Sequence, residues 1–203
     1  MKTITDIKAQ VKNPKRCNIY LDGAFALGLD LETVVKNRLK VGLEIDEERL
    51  SSLQAESELS TALDKALSFI SLSKKTEKQV RDYLSGKGYA PLTADKVIEK
   101  MKGYAFIDDY DYALSYAKSY SAKKGKRLIA LELIRKGVSE EVASKATESI
   151  TSEDETARAI AEKYLKNKPK DKPTIYKCYK YLLGKGFSYE VAKSAVDKLN
   201  EDY

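Results

Sequence analysis

A period of 49 residues organises the chain beyond residue 55 and limits what it can fold into. Leu84, Lys87 and Gly88 recur as Leu133, Lys136 and Gly137, and again as Leu182, Lys185 and Gly186. An apolar side chain follows each glycine: Tyr89, Val138 and Phe187. Further on, Ala94, Val97 and Met101 correspond to Ala143, Ala146 and Ile150, and to Ala192, Ala195 and Leu199. A helix that ends at a glycine does so because the residue after its cap turns left-handed. The next apolar side chain then folds back onto the helix, and a capping residue opens the following one. Ser139 and Ser188 are such caps, and in the first copy Ala90 precedes Pro91, which is tolerated in a first turn. A further helix precedes each pair, at about residues 57–71, 109–122 and 153–166. Thr76 and Gln79 form a capping box, and Pro173 opens the second helix of the third copy. The expected architecture is mainly all-α: three tandem three-helix repeats (56–107, 108–152 and 153–203) in an elongated array. Each unit is too small to bury its apolar faces alone.

Residues 1–55 read differently, as a small module with a β-hairpin and short helices. Ile7, Ala9 and Val11 share one strand face, and Asn18–Leu21 meets Ala24–Leu27 across Asp22-Gly23. That dipeptide suits a type I′ turn and places Tyr20 opposite Phe25. Asp30 and Asp46 are positioned to cap helices, the second running through Leu50 and Leu53.

Charged residues make up 33% of the chain, against only 10 glycines and 4 prolines, which fits a helix-rich globular protein. No stretch approaches the roughly 18 apolar residues of a membrane span, and the first residues carry no apolar signal core, so a cytoplasmic, membrane-free protein is expected. Histidine is absent, which removes the commonest general base, the hydrolase triads and the usual zinc ligands. Cys17 and Cys178 are far apart and read as buried thiols. We therefore expect a monomer that is not an enzyme and takes no cofactor or metal.

The net charge of +6 is distributed unevenly, all but one unit of it lying beyond residue 109. Lys118, Lys123, Lys124, Lys126 and Arg127 surround Gly125 at a helix junction. From Lys163 to Lys180 there are seven lysines (Lys163, Lys166, Lys168, Lys170, Lys172, Lys177 and Lys180) against one acid, Asp171. This density suits neutralisation of DNA phosphates without sequence readout, since lysine is a point charge. A solvated lysine-rich face is the plainer alternative. Tyr112, Tyr116 and Tyr120 lie four apart, and Tyr176, Tyr179 and Tyr181 sit among lysines. Base stacking is open to them, but the spacing favours a core stripe. The run Asp108, Asp109 and Asp111 is read as helix capping rather than a magnesium site.

Gly103-Tyr-Ala-Phe-Ile-Asp-Asp, Tyr112-Ala113, Gly125, Glu132-Leu133 and Lys136-Gly137-Val138 resemble the RecX family of recombinase regulators. So do Lys75-Thr76-Glu77, Tyr83-Leu84 and Lys87-Gly88-Tyr89 in the first repeat. Asn18 to Gly23, with Leu29 to Glu32, is similar to the extension carried by members from low-GC Gram-positive bacteria. The resemblance implies a modulator that lies in the groove of the RecA filament on DNA and restrains its ATPase, its growth and its strand exchange. It supplies no catalytic residues. Two other classes stay open: a general nucleic-acid-binding repeat protein, and a protein-binding module, because Leu-x-x-Lys-Gly-Phe is similar to ubiquitin-associated three-helix domains.

Overall fold

The computed structural model describes residues 1–169 and 171–201, the side chains of the last two excepted. Three strands open the chain, β1 (Lys2–Gln10), β2 (Asn13–Leu21) and β3 (Ala24–Asp30). Helix α1 (Leu31–Lys36) and the short strand β4 (Glu44–Ile45) follow. The sheet is antiparallel in the order β3-β2-β1-β4. Asp22 and Gly23 both take positive φ, 51° and 85°, as the Asp-Gly turn requires, and Tyr20 pairs with Phe25. Their rings meet edge to face at 6.0 Å. Ile7 and Ala9 share a strand face as expected, the pairing running without interruption from Asp6 to Ala9, although only Ile7 of the two packs on the core. The register shifts after Ala9, and Val11 lies fully exposed in the turn.

Ten helices in all are described. After α1 come α2 (Glu47–Ser71), α3 (Glu77–Gly86) and α4 (Pro91–Gly103). The second repeat holds α5 (Asp109–Tyr120), α6 (Lys126–Arg135) and α7 (Glu140–Glu148). The third holds α8 (Glu153–Leu165), α9 (Lys172–Gly184) and α10 (Tyr189–Glu201). The two helices expected around residues 46–53 and 57–71 are one 25-residue helix. Nothing between them breaks it: the segment contains neither glycine nor proline. Leu53 joins the sheet's core, and Ser57 Oγ accepts the Asp30 amide at 2.7 Å. Asp30 in turn caps α1 through Thr33.

The chain divides into two compact units. The first takes Met1–Ser73 and Val80–Tyr104; the second takes Lys74–Gln79 and the chain from Ala105 onward. In the first, Ile4, Ile19, Leu29 and Leu53 form the core under the sheet, and Phe69 stacks on Tyr83 at 4.3 Å. In the second, each repeat has its own core. Ala113, Ala117, Ile129, Leu133 and Val138 fill one, and Ala157, Ala161, Cys178, Leu182 and Phe187 fill the other. Ile129, Leu133 and Val138 stand 49 residues before Cys178, Leu182 and Phe187, whereas the alanine pairs of the first helix in each repeat stand 44 apart.

Within the second unit the repeats are coupled through main-chain atoms. The Gly125 amide donates to the Lys185 carbonyl at 2.9 Å, and the Arg127 amide to the Gly186 carbonyl at 3.2 Å. The equivalent joint one repeat earlier uses the Thr76 hydroxyl, which donates to the Lys136 carbonyl at 2.6 Å. Thr76 also makes the expected capping box with Gln79, both bonds being present. Gly137 and Gly186 therefore do two things. Their φ values, 96° and 89°, end a helix, and their missing Cβ lets the neighbouring helix approach, at Lys78 and Leu128 respectively.

Candidate nucleic-acid interface

The joint between the second and third repeats brings together lysines distant in sequence. Lys123, in the loop after α5, and Lys163, in the last turn of α8, line one groove of about 610 Å³. Lys185, at the C-cap of α9, completes it, with Tyr164 and Tyr181 stacked in its wall at 4.8 Å. Among the described residues no carboxylate lines this groove. Lys185 was passed over in the sequence because its place before Gly186 marks the repeat; the signal available was that it extends the Lys163–Lys180 run. Lys163 also borders a second groove, of about 740 Å³, with Lys166 and Lys168 in the segment following α8. Glu162 lines that groove and pairs with Arg158 at 3.1 Å.

The remaining lysines divide by what holds them. Lys124 is turned inward: its Nζ meets both carboxylate oxygens of Glu132, at 2.6 and 2.7 Å, and lies over the Tyr120 ring. Lys126 is half-buried in the first turn of α6, while Lys118 and Arg127 are exposed outside the grooves. Lys168 lies on the face of Tyr164, 3.3 Å from its centroid, and Lys180 on Tyr176 at 4.7 Å. Lys172 opens α9, and Lys177 is exposed along it. Lys170 lies outside the described residues.

The tyrosines of α5 form the core stripe expected of them. Tyr112, Tyr116 and Tyr120 pack in sequence against the second repeat's core, and Tyr116 donates to Glu132 Oε2 at 2.8 Å. Burial, and then that bond to a carboxylate, push the Tyr116 phenol well above its ordinary range. Burial raises the Glu132 carboxyl, but Lys124 and the Tyr116 hydroxyl outweigh it and the net direction is downward. The aspartates act separately. Asp108 accepts the Tyr110 and Asp111 amides at 2.8 and 3.0 Å, Asp109 accepts the Glu77 amide at 2.8 Å, and Asp111 pairs with Lys74 at 2.5 Å. Among the described residues no helix is long and apolar enough to cross a membrane.

Four family models match the chain in order. Residues 2–46 match the regulatory protein RecX N-terminal domain, and residues 62–101, 108–146 and 152–196 match the first, second and third RecX three-helix domains. The regulatory protein RecX of Clostridium perfringens (strain SM101 / Type A) is 37% identical, the match covering 100% of this chain and 99% of that protein. Its counterpart from Bacillus subtilis (strain 168) is 32% identical, covering 98% and 78%. A crystal structure of regulatory protein RecX superposes with a TM-score of 0.78 at 28% identity, over 97% of this chain and all of that one. RecX from Lactobacillus salivarius gives 0.66 at 27% identity, over 70% and 97%. With its module order, its three-helix repeats and its full-length likeness to these proteins, the chain belongs to the RecX family of regulatory proteins.

Proposed function

We propose that this chain regulates homologous recombination and DNA repair by binding the RecA filament together with its DNA, slowing ATP hydrolysis, filament growth and strand exchange. Membership of the RecX family supports the recombinase as partner. The observation that carries the DNA half is the groove that Lys123, Lys163 and Lys185 line at the joint of two repeats, with no carboxylate among its described lining residues. Cationic side chains lining one groove suit a phosphate backbone lying along it, and their attraction is independent of base sequence. On this reading the protein acts in the cytoplasm as a monomer and performs no chemistry of its own.

The test is DNA-dependent ATP hydrolysis by the same organism's RecA, with this protein added. Inhibition by the full chain, relieved when Lys123, Lys163 and Lys185 are replaced by glutamate, is the expected result. A protein that binds DNA yet leaves ATPase rate and strand exchange unchanged would be a general nucleic-acid-binding repeat protein, and the recombinase reading would fall.

A further inference from the structure

We propose that the groove between α9 and α10 is a base-stacking site for the unpaired bases of single-stranded DNA. The proposal rests on the DNA-binding reading above and adds which form of DNA the third repeat takes. Helical spacing sorts the side chains of α9 into three strips. Tyr176 and Tyr179 face the groove shared with α10, Tyr181 and Lys185 face the groove already described, and Lys177 and Lys180 lie on the exposed arc between. A basic ridge thus runs along the helix with aromatic walls on both flanks.

The α9–α10 groove measures about 340 Å³. Tyr179 sits in it between two other rings, Tyr176 at 6.5 Å and Tyr189 edge-on at 5.8 Å. Packing accounts for Tyr179, which is half-buried against the core, but Tyr176 and Tyr189 remain 56% and 57% exposed. In this they differ from the α5 stripe, whose rings are spent on the interior. Lys172 and Lys193 stand on the groove's lining, against one acid there, Asp197. Flat apolar faces beside cations are what a nucleotide needs: the ring takes the base and the ammonium takes the phosphate. Lys180 already rests over the Tyr176 ring at 4.7 Å, so that face accepts a flat or cationic partner. A base arriving there releases the ammonium toward its own phosphate. A duplex buries its base faces in its own stack and offers the groove only phosphates.

Binding is measured on the full chain with three labelled probes of equal length: a single strand, its duplex, and a single strand of abasic sites that keeps the phosphates. The wild type is expected to bind the base-bearing strand roughly tenfold more tightly than the abasic one. Tyr176→Ala with Tyr189→Ala should remove that difference and leave duplex affinity alone, while Tyr→Phe at both positions keeps it. Equal affinity for abasic and base-bearing strands, or an equal loss on single strand and duplex, overturns the stacking site. A wild type that binds none of the three probes overturns instead the DNA-binding reading beneath it.

Discussion

Gly125 lies so close to Gly186 that a Cβ built on it would stand 2.4 Å from that residue's carbonyl carbon and oxygen. The contact is backbone on both sides, so no side-chain rotation can relieve it. Gly125→Ala should therefore destabilise by about 1–3 kcal/mol, as forced overpacking does. Denaturant unfolding of the full chain measures this; an unchanged midpoint would mean that the joint between the repeats gives way easily.

Asp109 has a different task from the one its position implies. It sits just inside α5 but accepts the Glu77 amide at the start of α3, while Asp108 alone caps α5. Asp109→Ala should cost on the order of 1 kcal/mol, the ordinary loss for a removed cap, and Asp109→Asn, which keeps an acceptor oxygen, much less. Equal losses for the two substitutions would show that the charge, not the hydrogen bond, matters.

Acid should weaken the second repeat through Glu132. Its carboxyl is lowered in the folded protein, chiefly by the bonds from Lys124 and Tyr116 that outweigh its burial. A carboxyl lowered on folding contributes stability above its unfolded value, here about 4.5, and that contribution disappears as pH falls through the folded one. Melting temperature should drop below that point, and Glu132→Gln should flatten this part of the profile. A variant profile parallel to the wild type would remove Glu132 from the account.

Both thiols should resist modification while the chain is folded. Cys17 and Cys178 are buried, and burial pushes the Cys178 thiol up to about 11, leaving little thiolate at neutral pH. A thiol reagent at pH 7 should react with neither until denaturant is added. Rapid native labelling at Cys178 would show that α8 and α9 open readily.

Affinity for duplex DNA should fall steeply with salt. Replacing Lys163 by alanine should reduce the log-log slope by about 0.9 if it neutralises one phosphate. An unchanged slope would assign Lys163 to the solvated face.

Local signals carried far along this chain. The Lys-Gly corners, the Asp22-Gly23 turn, the Thr76–Gln79 box and the caps at Ser139 and Ser188 were all readable because each is settled within a few residues. The continuity of α2 was not, since capping signals near Asp46 say where a helix can begin but not whether it is still running at Ser71. Pairings across helices were also hidden. Lys124 looked free beside Lys123, yet only the packing of α6 on α5 brings Glu132 to it. Lys185 and Lys163 gained a common groove with Lys123 only once the repeats were joined.

That joint has a bearing on how such a protein can diverge. Gly125, Lys185 and Gly186 meet through amides and carbonyls, groups that every residue but proline carries. The outward lysines, tyrosines and acids can be exchanged without disturbing how one repeat engages the next. What cannot readily be spared are the glycines, whose absent side chains are the space the coupling occupies.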